Sequence, residues 1–222
     1  VKALCHQHGA LFVLDEIITG FRWHNSGAQH CYEIEPDLST FGKALGNGFS
    51  IAALAGKREF MELGGLSHHQ PRVFLLSTTY GAESFGLAAA IATMRIYQRD
   101  PVIEHLHEQG RKLSAGIHQA ISANQLTEYF QVMGRPCNLV YATRDQDKQR
   151  SQPFRTLFLQ ETIKRGLLMP SLVVSYSHSD ADIQRTIDAI GGALTVYRQA
   201  LDEGIDKYLI GRPVAPVFRT YN

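Results

Sequence analysis

The stretch Ala10 to Leu14, followed by Asp15 and Glu16, constrains the fold more than any other part of the chain. Five apolar residues in a row without period-two alternation read as a strand covered on both faces, the pattern of a parallel sheet packed between helices. Sheets of that kind bind ligands at the carboxyl ends of their strands. That end is where the acid pair lies. A buried, unpaired carboxylate is costly, so Asp15 requires a partner: an arginine such as Arg22, a helix N-terminus that it caps, or something bound.

Other segments extend the same α/β texture. The runs "PDLSTF" (36–41), "IAALAGK" (51–57) and "RVFLLSTTYGAE" (72–83) read as further strands. A helix is predicted from near Ser84 to the Pro101 interruption, with Glu83 in its first turn. A second, amphipathic helix follows through Ile103, Leu106, Leu113, Ile117 and Ile121. Beyond it the pattern shifts. Strands are expected at 129–134, 137–145 and 172–177, a helix at 155–166 closed by Gly166, and a long helix opened by a Ser or Asp cap in "SDADIQ". The tail from Gly211 reads as an extended segment on the surface. These changes place a domain transition between residues 100 and 125. They give a first domain at 1–110 and a second, α/β domain at 111–222. The chain opens without methionine and within a predicted helix, as a fragment would.

With 222 residues, 44% of them hydrophobic and 19% charged, there is enough apolar material for one large core or two small ones. A net charge of +1 without a basic run gives no electrostatic footprint for nucleic acid or an anionic membrane, so small molecules are the expected partners. The three cysteines, Cys5, Cys31 and Cys137, have neither the even count of a disulfide framework nor zinc-ligand spacing. A reducing cytoplasm is the expected compartment. No segment has a signal-peptide layout or membrane-spanning length. His24, His30, His68, His69 and His178 lack metal-ligand spacing, and no metal is expected.

Lys43 raises the same question as Asp15, because "TFGKALGNG" sets an amine between glycines directly after an apolar strand. Taken singly, it reads as a turn lysine. A lysine and an aspartate at the carboxyl ends of strands in one sheet suit a cofactor with an aldehyde to bind and a ring nitrogen to keep protonated. Pyridoxal 5'-phosphate is such a cofactor. Its phosphate would need donors, and "STTYGAESFG" sets hydroxyls and a glycine before a helix N-terminus, where an anion is favoured. Ordinary capping by Ser77, Thr78 or Thr79 explains those hydroxyls equally well.

In order and spacing, "LFVLDEIITGFR", "PDLSTFGKALGNGFSIAALAGKREFM" and "STTYGAESFGLAAAIATM" resemble the class III aminotransferases, fold-type I enzymes that use pyridoxal phosphate. The likeness points to the branch of glutamate-1-semialdehyde aminomutase and to the C-terminal half of such proteins. It implies that Lys43 forms the Schiff base and later acts as the base, and that Asp15 pairs with the pyridine nitrogen. It further implies that Ile17 packs on the ring face and that Thr79 binds the phosphate of the neighbouring subunit's cofactor in a homodimer, with Gly81 shaping that loop. The implied reaction moves an amino group from an amino acid donor to a carbonyl acceptor. An N-terminal half would be needed for a complete site.

Departures from the family pattern narrow the expectation. Ile18 stands where many amine transaminases have glutamine. Met169 stands where omega-transaminases have a carboxylate-binding arginine, and Glu83 and Ser84 replace the aminomutase's Asn-Pro pair. This combination resembles aminomutase-like enzymes of surface-polysaccharide synthesis, whose expected acceptor is a keto-sugar. An aminomutase, and a catalytically silent fragment acting only in assembly, are the alternatives.

Overall fold

The computed structural model describes residues 1–73, 81 and 83–215, and the chain divides into two compact units, Val1–Glu104 and His105–Asn222.

In the first unit, helix α1 (Lys2–Gln7) precedes β1 (Val13–Asp15), then a short helix α2 (Ala28–Cys31) and β2 (Leu38–Phe41). A 3-10 turn at Lys43–Leu45 leads to β3 (Ala53–Gly56), the short helix α3 (Arg58–Met61) and the long α4 (Ser84–Arg99). The sheet is mixed, in the order β1-β2-β3. β1 runs parallel to β2 with Val13, Leu14 and Asp15 opposite Leu38, Ser39 and Thr40, and β3 runs antiparallel with Leu54 opposite Thr40.

Directly opposed residues share a face of the sheet. Val13, Asp15, Thr40 and Leu54 therefore share one face, and on it Val13 is 49% and Leu54 46% exposed. The expectation of a strand covered on both faces is thus corrected. An apolar run records what a strand requires around it, and this unit supplies cover on only one side.

Behind the sheet lies a cavity of about 660 Å³ lined by Ser39, Phe41, Ala55, Phe21 and Met94 among others. α4 is tied to the chain after β1 by the Tyr97 hydroxyl, which donates to the Phe21 carbonyl at 2.7 Å. Its predicted start and its end before Pro101 agree with the structure. Glu83, expected in the first turn, instead occupies the N-cap position and makes no side-chain cap. The predicted strand at 72–83 lies mostly outside the described residues.

The lower edge of this sheet is fastened by Asp37. Its buried carboxylate accepts from Lys57 Nζ at 2.6 Å and the Phe12 N–H at 2.8 Å, and lies 2.7 Å from His6 Nε2. The Lys57 ammonium above all, then the Phe12 N–H and His6, hold this carboxyl far below the usual carboxylate range against the cost of burial.

α5 (Val102–Ala123) carries the apolar stripe read from the sequence, and Leu106, Leu113, Ile117 and Ile121 are all buried. The second unit continues with the hairpin β4 (Phe130–Arg135) and β5 (Asn138–Thr143), helix α6 (Gln152–Lys164) and helix α7 (Asp180–Glu203). Most of the buried apolar residues belong to this unit. Phe130 packs against Phe158 with ring centroids 4.8 Å apart, and Phe154 against Tyr197 at 4.7 Å. The fully buried Tyr197 hydroxyl accepts from the Arg144 N–H at 3.0 Å, and desolvation raises its pKa. Glu161 is also buried. Desolvation pushes its carboxyl up, but hydrogen bonds from Lys164, Arg165 and Gln160 outweigh that and lower it to about 2.

Ser179 opens α7 with a full capping box, its hydroxyl accepting from the Asp182 N–H while the Asp182 carboxylate accepts from the Ser179 N–H at 2.9 Å. The strand expected at 172–177 is absent. Leu172 makes one bridge, to Leu139, after which Ser175 and His178 close a local turn through the Ser175 N–H and His178 Nδ1.

Candidate functional site

Asp15 ends β1, and Lys43 follows β2 by two residues, so both stand at the carboxyl ends of paired parallel strands. The acid pair of the sequence is divided: Asp15 is the last residue of β1 and Glu16 the first beyond it. Glu16 is fully buried, where its carboxylate accepts from the Ala28 N–H at 2.8 Å, the Gln29 N–H at 2.7 Å and the Thr19 hydroxyl. It caps α2, and Gly27 before that helix, at φ +79°, has no room for a Cβ beside the carboxylate. Asp15 is exposed on the open face. Its Oδ1 accepts from the Ile17 N–H at 2.9 Å and lies 3.3 Å from the Thr40 hydroxyl, while Oδ2 has no partner among the described residues. The ion pair with Arg22 considered from the sequence does not form among those residues.

Lys43 is exposed, and its ammonium has no hydrogen bond or ion pair among the described residues. Its backbone is unusual, with φ +43°, in the left-handed region that non-glycine residues seldom enter and that recurs at functional sites. The Lys43 carbonyl accepts from both the Gly46 and Asn47 N–H groups, at 3.1 and 3.0 Å, and this holds the turn closed. Gly42 brings this turn against Ile17, since a Cβ at Gly42 would stand 3.0 Å from Ile17 Cδ1. Asp15, Ile17 and Lys43 therefore lie on neighbouring loops of one sheet edge, and none of them lines the cavity behind the sheet.

The donor set suits pyridoxal phosphate in three respects: an uncommitted amine, a carboxylate oxygen without a partner, and a close approach at Gly42 beside an apolar side chain. The phosphate threonine expected at Thr79, with Ser77 and Thr78, lies outside the described residues, and Gly81 is in a turn. In the second unit Met169 is buried, with its carbonyl 3.4 Å from the Tyr141 hydroxyl. Among the described residues no group of His, Cys, Asp and Glu could hold a metal ion, and no helix is long and apolar enough to cross a membrane.

Sequence reasoning missed the contact of the Thr40 hydroxyl with Asp15. The only signal available was the place of Thr40, three residues before Lys43. It also missed Glu16 as a helix cap, because the helix begins twelve residues away.

The fold is that of fold-type I transaminases. The structure of the pyridoxal phosphate internal aldimine form of the FumI protein from Sphingopyxis sp. MTA144 is 25% identical and covers 91% of this chain and 47% of its own, with a TM-score of 0.78. An omega-transaminase from Sphaerobacter thermophilus, 22% identical, covers 89% of this chain and 47% of its own with a TM-score of 0.76. The model of the family "Aminotransferase class-III" matches residues 1–194, and the chain belongs to that family. Relatives include the 3-aminobutyryl-CoA aminotransferase of Cloacimonas acidaminovorans, 32% identical over 90% of this chain and 47% of the relative. The glutamate-1-semialdehyde 2,1-aminomutase of Desulforamulus reducens is 31% identical over 91% of this chain and 48% of the relative. The chain thus spans about half the length of the curated relatives it matches.

Proposed function

We propose that this chain is the Lys- and Asp-bearing part of a pyridoxal-phosphate-dependent aminotransferase that moves an amino group from an amino acid donor to a carbonyl acceptor. One observation carries the reading: an amine and a carboxylate oxygen, both without a partner among the described residues, stand at the carboxyl ends of two paired parallel strands, in a chain of the class III family. The cofactor, when bound, supplies an aldehyde carbon and an electron-accepting ring.

In this reading Lys43 binds the aldehyde carbon through its amine. Lys43 would also hold and return the proton of the donor α carbon. Asp15, through Oδ2, keeps a proton on the ring nitrogen. Ile17 would pack on the ring face. Thr79 receives the phosphate of a neighbouring subunit's cofactor, which makes a homodimer the working unit. Exposed Phe85, Leu87 and Ile91 on α4 supply apolar surface for such an assembly. Residues 1–110 form part of the cofactor domain and 111–222 the smaller domain.

For the acceptor, Met169 brings no cation to a substrate carboxylate, which supports a carbonyl compound such as a keto-sugar. An aminomutase, with donor and acceptor on one molecule, is the second reading, and it is favoured by the aminomutase relatives. Product analysis separates the two. Transfer consumes two substrates and yields a keto acid with a new amine, whereas an aminomutase isomerises one compound.

Sodium borohydride reduction after incubation with pyridoxal phosphate tests the common core. A cofactor fixed to Lys43 supports the proposal, and a chain that fixes none favours the assembly reading until the missing half is supplied.

A further inference from the structure

We infer that Thr40 is a positioning residue for Asp15, setting which carboxylate oxygen is left to meet a ring nitrogen. This rests on the reading of Asp15 given above.

Thr40 lies directly opposite Asp15 in the parallel pairing, on the open face of the sheet. Its hydroxyl is 3.3 Å from Asp15 Oδ1, the oxygen that also accepts from the Ile17 N–H at 2.9 Å. Two donors from two segments thus converge on one oxygen. The other, Oδ2, is without a partner among the described residues.

A carboxylate on an exposed strand end would otherwise turn about χ2, whose preference is broad. Holding Oδ1 from both sides removes that freedom and leaves Oδ2 as the acceptor for an N–H outside the sheet. Threonine suits the task because β-branching makes χ1 stiff, so its hydroxyl is aimed before any ligand arrives. The 3.3 Å separation is long for O–H···O, and such contacts commonly tighten once a site is filled. Thr40 touches no reacting atom in this account. It acts through Asp15.

The test compares pyridoxal phosphate with an analogue in which the ring nitrogen is replaced by CH. Both compounds are titrated against the unsubstituted chain, Thr40→Val and Thr40→Ser. The unsubstituted chain is expected to prefer the natural compound. Thr40→Val loses about tenfold in affinity for it, as removal of a hydrogen bond to a charged group predicts, and nothing for the analogue. Thr40→Ser retains the preference. The ratio of affinities within each variant cancels any loss of folded protein.

In the ligand-free chain, the carbon-13 resonance of the Asp15 carboxyl is expected to move in Thr40→Val and to return in Thr40→Ser. A preference that survives in Thr40→Val, an equal loss for both compounds, or an unmoved carboxyl resonance overturns the positioning role alone. Equal binding of the two compounds by the unsubstituted chain, or binding of neither, overturns the reading of Asp15 and this inference with it.

Discussion

β1 ends on Asp15 and the chain turns inward at the next residue, so the two neighbouring carboxylates do different work. Glu16 turns inward, and three donors meet it. Replacing it with alanine strands the Ala28 and Gln29 N–H groups in a buried place and should cost about 3 kcal/mol. Urea unfolding followed by tryptophan fluorescence reads this directly, since Trp23 lies in the same loop. A loss under about 0.5 kcal/mol, the size of an ordinary surface change, would contradict the capping role. Asp15 turns outward, and Asp15→Asn should leave the unfolding midpoint unchanged while nearly abolishing amino transfer.

The residue pattern made Asp15 and Lys43 legible because each breaks a local rule, a charge directly after an apolar strand. Glu16, Thr40 and the His6 and Lys57 partners of Asp37 obey no local rule. Apart from the Thr19 hydroxyl on Glu16, their partners stand twelve to thirty-one positions away in the chain, and only the fold brings them together.

Elements were legible where their stability is local. α7 begins where the Ser179 and Asp182 pair foretells it, and Ser179→Ala should cost about 1 kcal/mol in thermal or urea unfolding of the second unit. The stretch 172–177 has strand composition, yet it forms one bridge, from Leu172 to Leu139, and turns at His178. Composition gives a propensity for a strand, and only a neighbour gives a ladder.

Acid should test how the elements are fastened. Asp37 and Glu161 both have folded pKa values below their unfolded ones. Each therefore contributes stability that is present above the unfolded carboxylate value near pH 4 and is lost as pH falls through the folded value. Urea midpoints should decline between about pH 5 and pH 2. Glu161→Gln should flatten that decline in the second unit and Asp37→Asn in the first. An unchanged slope in either variant would show that its cluster does not set the acid response.

At the scale of the whole molecule, the two units differ in how much of their apolar surface they cover themselves. The second encloses a ring cluster around Phe130 and Tyr197. The first leaves Val13, Leu54, Phe49, Phe85 and Ile91 open, and its relatives carry about as much chain again as is matched here. The sequence signalled a buried parallel strand because periodicity reports the surroundings a strand evolved for. The structure reports the surroundings this stretch provides. The central claim is that the open sheet edge with Asp15 and Lys43 holds pyridoxal phosphate through Lys43.

The most direct measurement is borohydride reduction of the chain after incubation with pyridoxal phosphate, followed by peptide mapping by mass spectrometry, alongside Lys43→Ala. A reduced cofactor adduct is expected on the peptide containing Lys43, together with loss of the visible absorption band in Lys43→Ala. An adduct spread over surface lysines, or a band that persists without Lys43, would contradict the central claim.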